Sequence, residues 1–142
     1  MLNLWLLLGL VLGALFVIAA RSQGVHKERV ILAVGLPVAA LIYVGFAAMW
    51  GDRSWLAIEV VGLLLYSLFL FLARRYHMVW LAVGWGLHPL WDLVLHWLGP
   101  GYTVAPAWYV LACLSFDLLV AGYLLVRLNI WNDLPRIDFG RI

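Results

Sequence analysis

Long apolar runs separated by short polar breaks make up almost the whole chain. The runs are Leu2–Ala20, Val30–Trp50, Trp55–Ala73, Met78–Leu98 and Ala107–Leu128, and the breaks are Arg21–Arg29, Gly51–Ser54, Arg74–His77 and Gly99–Pro106. Each run is close to the roughly 20 residues that cross a hydrocarbon core of about 30 Å. In lipid the backbone must satisfy its own hydrogen bonds, so runs of this length are predicted to be helices. The breaks are short enough to make consecutive helices antiparallel neighbours. The pattern predicts an all-α fold: residues 1–128 form one bundle of five transmembrane helices, followed by a tail at 129–142. The tail is too polar to span, and its Trp131 and Phe139, set among Arg residues, suit the cytoplasmic headgroup layer.

Composition removes the soluble alternatives. The 142 residues are 67% hydrophobic and 11% charged, with a mean hydropathy of +1.04, whereas a soluble domain carries about 25% charged residues. The net charge of +2 does not signal nucleic acid, because the basic residues lie in the breaks rather than in a patch. Their position sets an orientation instead. Arg21, Lys27, Arg29, Arg74, Arg75, Arg127, Arg136 and Arg141 all fall on one side, leaving only Arg53 of the nine on the other. By the positive-inside rule the N-terminus is outside and the C-terminus cytoplasmic, as in a multi-pass inner-membrane protein. The first run has no basic residue before it and exceeds the apolar core of about 7–15 residues in a signal peptide, so it is predicted to stay as a helix. Cys113 is the only cysteine, which precludes an intrachain disulfide.

Within these apolar runs a few ionisable groups are out of place. The fourth run carries His88, Asp92 and His96 at i, i+4 and i+8, which makes one ladder on one helix face. The third carries Glu59, with Tyr66 and Ser67 nearly on the same face, and the fifth carries Tyr109, Cys113 and Asp117 at spacings of four. A charge at mid-bilayer costs roughly 2.5–3.5 kcal/mol on insertion scales, so such residues usually face a protein interior and carry function. Counting about 1.5 Å per residue from the outer boundary puts Glu59 roughly 6 Å down, Asp92 roughly 9 Å, and His88 and Asp117 roughly 15 Å. His96 is predicted at the rim, as the entrance of a pocket in the outer half of the bundle. The first and second runs are expected to act as scaffold, with the packing glycines of the second and fourth serving intrachain contacts or a homodimer equally well. Trp50, Trp55, Trp97, Tyr102 and Trp108 fit an aromatic belt, while Trp85 and Trp91 are deep enough to wall a pocket.

Histidine beside a carboxylate can share a proton, so His88 and Asp92 form the expected proton-transfer pair, with Glu59 and Asp117 as partner carboxylates. Tyr66, Tyr109, Cys113, Trp85 and Trp91 are the candidates to support them. Apolar walls would admit a membrane lipid or another lipophilic small molecule, for isomerisation or hydrolysis. No Gly-x-Ser-x-Gly element, phosphate-cradling loop or dinucleotide fingerprint is present, so no cofactor is called for on those grounds. The alternative is a metal enzyme, with zinc or iron held by His88 and Asp92 together with Glu59 or Asp117. Two histidines eight apart are separated by about 12 Å along a helix and do not share one ion. Proton- or cation-coupled transport and a purely structural membrane subunit remain as further classes, although the cytoplasmic halves offer little polar path.

The run Gly84-Trp85-Gly86-Leu87-His88-Pro89-Leu90-Trp91-Asp92-Leu93-Val94-Leu95-His96, followed by Pro106-Ala107-Trp108-Tyr109 and Cys113-Leu114-Ser115-Phe116-Asp117, resembles a family of small bacterial five-span membrane proteins of unknown function. More loosely, His88-x-x-x-Asp92 is similar to the His-x-x-x-Glu element of the emopamil-binding-protein superfamily of sterol isomerases and sigma-2-receptor-like proteins. That resemblance implies proton transfer to and from a lipid double bond within the membrane. Here the acid is Asp and the element lies in the fourth run rather than an early one, which makes the likeness one of chemistry.

Overall fold

The computed structural model describes residues 2–131 together with Leu134 and Ile137, and among the described residues every regular element is helical. Helix α1 spans Leu2–Ser22, α2 Val25–Trp50, α3 Arg53–Arg75, α4 Val79–Asp92 and α5 Ala107–Trp131. Helices α1, α2, α3 and α5 are each long and apolar enough to cross a membrane. Helix α4 has 14 residues, about 21 Å at 1.5 Å per residue, and a π-helix at Leu93–Trp97 continues it. The fourth run is thus not one regular α-helix, and the expected loop after it holds a 3-10 turn, Pro100–Thr103. Of the expected tail, Asn132, Asp133, Pro135, Arg136, Asp138, Phe139, Gly140, Arg141 and Ile142 lie outside the described residues. Trp131 ends α5, is buried within the protein, and lies under the Arg127 guanidinium.

The helices close into a ring. Each packs on its neighbour in sequence, and α1 packs on α5 to complete it. That last contact is made by small residues. A Cβ at Gly9 would lie 2.0 Å from the Ala112 carbonyl oxygen and 2.2 Å from the Ser115 hydroxyl, and one at Gly13 would lie 3.3 Å from the Phe116 backbone. Two glycines four apart let the backbones approach, and the Ser115 hydroxyl donates to the Leu6 carbonyl at 2.7 Å across the contact. The expected packing glycines are also engaged within the chain: Gly35 meets Phe16 and Trp85, and Gly84 meets Leu36 and Phe69.

The α1–α2 break is much shorter than expected, because Gly24, at φ 85°, reverses the chain in a conformation glycine adopts freely. Helix α2 therefore begins at Val25 and draws Glu28 and Arg29 into buried positions. Glu28 accepts from the Tyr123 hydroxyl and from Arg127 Nη2 at 2.9 Å, tying the start of α2 to the end of α5. A scaffold helix thus contributes Glu28, which the hydropathy pattern had assigned to a break, to an ion pair with Arg127 of α5. At the opposite end Asp52 caps α3, accepting from the backbone N–H of Ser54 at 2.8 Å and of Trp55 at 2.9 Å. The outward faces are apolar, as in Ile18, Leu64 and Val126 at 64%, 65% and 76% exposure, the surface expected against lipid rather than water.

Candidate functional site

His88, Asp92, Asp117, Glu59 and His96 are all buried, at 0–2% exposure. The bundle arranges them in two groups. In the first, His88 Nδ1 lies 2.8 Å from Asp117 Oδ2 and 3.5 Å from Asp92 Oδ2, so one ring nitrogen sits between two carboxylates. Asp92 is one helical turn from His88, and α5 brings Asp117 from the facing side. In the second, His96 Nε2 lies 3.0 Å from Glu59 Oε1, and Trp91 Nε1 donates to Glu59 Oε2 at 3.4 Å.

This grouping corrects two expectations. Glu59 partners His96 and not His88. His96 is not at a rim: it is 1% exposed, its Nδ1 lies 3.1 Å from the Gly101 carbonyl, and the 3-10 turn covers it. The cause is local. A π-helix turns through a smaller angle per residue than an α-helix, so the stretch after Asp92 does not continue the regular ladder. A Cβ at Gly101 would lie 2.8 Å from His96 Nδ1 and 2.6 Å from the Trp55 ring, so the lid fits this closely only with glycine there.

Aromatic rings fix the imidazoles. Tyr66 meets His88 edge-on at 4.7 Å between centroids, and its hydroxyl donates to the Leu87 carbonyl at 3.4 Å. Tyr43 of α2 lies between the two groups, stacked on His96 at 5.0 Å and edge-on to His88 at 5.7 Å. Hydropathy gave no weight to Tyr43, since a lone Tyr in an apolar run reads as packing. The available signal was that it is the only hydroxyl between Val30 and Trp50 and shares a helical face with Leu36 and Ala47, all three buried.

The first group is incompletely satisfied. Neither oxygen of Asp92 has a hydrogen-bond partner, nor does Asp117 Oδ1, and the Tyr43 hydroxyl interacts with Asp92 without meeting hydrogen-bond geometry. Buried polar atoms without partners cost about 1–3 kcal/mol each, so these four atoms leave unused hydrogen-bonding capacity around one histidine. One donor atom from each of His88, Asp92 and Asp117 lies within 4.8 Å of the others, so this buried group could hold a metal ion. Glu59 is not a member of that set.

On the α1–α2 side, a cavity of about 260 Å³ runs between α1, α2 and α5. Its walls include Phe16, Gly35, Ala39, Trp85, Cys113 and Asp117, so among the cluster residues it is Asp117 that reaches it. Trp85 is held there by an indole hydrogen bond to the Leu32 carbonyl at 3.0 Å, and Tyr109 packs between the cavity and Tyr43. Each of the five supporting residues therefore touches a member of the cluster or the cavity. Compared with known proteins, the chain matches no family model, no curated protein and no solved structure. Its site is read from its own chemistry.

Proposed function

We propose that this chain is a five-span inner-membrane protein whose buried acid/base cluster moves a proton on a lipophilic molecule, in an isomerase- or hydrolase-like reaction. The observation that carries this reading is the position of Asp117, in the wall of an apolar cavity on one side and 2.8 Å from His88 Nδ1 on the other. With Nε2 protonated, Nδ1 and Asp117 Oδ2 share one proton: on Nδ1 the pair is imidazolium and carboxylate, on Oδ2 it is neutral imidazole and carboxylic acid. Asp117 Oδ1 exchanges a proton with the guest, and His88 supplies or takes it through Oδ2. Asp92, 3.5 Å from the same Nδ1, balances the imidazolium formed when the ring holds both protons. Glu59 and His96 form a second pair one turn further along. The four long helices, with α4 and its π-helix as a fifth crossing, suit an orientation with the basic end, bearing Arg21, Lys27, Arg74 and Arg75, in the cytoplasm.

Deuterium transfer tests this directly. Membranes overproducing the protein are incubated in heavy water, and their lipids and lipophilic metabolites are extracted and weighed by mass spectrometry. Species gaining deuterium with wild type should gain it about 10²–10⁴-fold more slowly with Asp117→Asn, the usual worth of a positioned acid/base group. Equal deuteration in both ends the proposal.

A second reading has its own observation, the unpartnered oxygens of Asp92 and Asp117 beside His88. Four-coordinate zinc at about 2.0–2.1 Å from each ligand places donor atoms about 3.3 Å apart, between the 2.8 Å and 3.5 Å separations from His88 Nδ1 to Asp117 and Asp92. Two carboxylates and a neutral imidazole would balance a divalent zinc or iron ion. Elemental analysis of detergent-purified wild type beside His88→Ala and Asp92→Asn decides it: near-stoichiometric metal lost in both variants establishes the metal enzyme, and metal-free, deuterium-transferring protein excludes it.

A further inference from the structure

The cavity's size, its mouth and the carboxylate in its wall together restrict its guest. An engineered cavity of about 150 Å³ takes a benzene ring, so 260 Å³ holds, in proportion, about ten carbons. That is below the roughly 300–1,000 Å³ of pockets that enclose drug-sized ligands. A slender chain fits and a fused-ring sterol skeleton does not.

The mouth faces lipid. Val38 and Ile42, on the α2 side of the cavity, are 48% and 41% exposed on the outside of the bundle. Asp117 lies ten residues beyond Ala107 in α5, about 15 Å along the helix. At that depth a bilayer is hydrocarbon, so a guest comes laterally between α1 and α2 and only part of it need be inside.

Among the described residues, Asp117 is the one carboxylate in the cavity wall. Asp117 Oδ1 is fully buried and lacks a donor, while Asp92 holds a second carboxyl group beside the same histidine. A fatty acid or phosphate headgroup would place an anion against them. A hydroxyl gives Oδ1 its missing hydrogen bond without bringing a charge out of water.

We infer that the cavity takes the hydroxyl end of a long-chain or isoprenoid alcohol, with about ten carbons inside the protein and the remainder among the acyl chains. This rests on the proposed role of Asp117 and names the substrate class for it.

The test is photolabelling in phosphatidylcholine nanodiscs with cetyl alcohol carrying a diazirine in its chain, the adducts being mapped by mass spectrometry. Labels should concentrate on the α1, α2 and α5 segments around Phe16, Ala39 and Cys113. Unlabelled cetyl alcohol should compete at mole fractions where palmitic acid and cholesterol do not. Ala39→Phe, which fills the cavity without touching the cluster, should reduce labelling about tenfold, equivalent to about 1.4 kcal/mol. Val38→Trp at the mouth provides a second block should the first variant not fold. Labels spread evenly over the lipid-facing surface overturn the inference, as does equal competition by cholesterol or palmitic acid, or stronger competition by cetylamine. The proposed reaction fails separately: site-specific labelling without Asp117-dependent deuteration removes the chemistry and keeps the guest, and deuteration without labelling does the reverse.

Discussion

Asp92 combines complete burial with two oxygens that lack hydrogen bonds. Replacing it by Asn keeps the shape, removes the ionisable group and breaks no existing hydrogen bond. In detergent, Asp92→Asn is therefore expected to unfold within about 1 kcal/mol of wild type, while deuterium transfer falls by at least about 100-fold. A variant that loses its fold instead would make the cluster a structural one. Tyr43→Phe removes a buried hydroxyl that makes no hydrogen bond of standard geometry, so thermal melting should show stability within about 1 kcal/mol of wild type. The ladder of His88 and Asp92 was legible because ionisable residues stand out in an apolar run. The pairing of Glu59 with His96 was not, since it depends on how the chain winds after Asp92, and a five-residue π-helix carries no hydropathy signature.

At the scale of elements, helix existence followed from the length of each apolar run, whereas two boundaries were displaced by local chemistry. A single glycine, Gly24, suffices to reverse the chain between α1 and α2, so charged residues that read as loop became the first turns of α2. Among them Glu28, paired with Arg127 and Tyr123, clamps α2 to α5. Glu28→Ala leaves the half-buried Arg127 guanidinium without its carboxylate and should cost about 1–3 kcal/mol, measured by denaturant unfolding in detergent. The Gly9-x-x-x-Gly13 seam was present in the sequence but indistinguishable from other small residues until its partner helix was known. Gly9→Leu forces α1 away from α5, at a cost of about 1–3 kcal/mol. Cys113, buried at 8% exposure beside that seam, should then react with maleimide faster than in wild type.

For the whole molecule, a Cys113→Ser background allows orientation to be read with single cysteines. Positions Ser22 and Tyr76 lie at the basic end and Ser54 and Tyr102 at the other. Impermeant maleimide added to intact cells should label the latter pair and spare the former; the opposite result reverses the orientation. The all-helical architecture was legible because lipid leaves the backbone few options, and the order of neighbours followed from short connections. The cavity was not legible, since it is what remains where α2 stands away from α5, and no run of residues encodes an empty space.

The ring is closed by its first and last helices, α1 against α5. Synthesis runs from α1 onward, so this seam has no partner until α5 has been made. Asp117 arrives with that same helix. The nascent protein thus carries His88 and Asp92 as a half-built cluster, without the α5 wall of the cavity or the second carboxylate, and closing the fold and completing the cluster become one event. A chain that stalls before α5 lacks Asp117 and leaves the Gly9–Gly13 stripe uncovered.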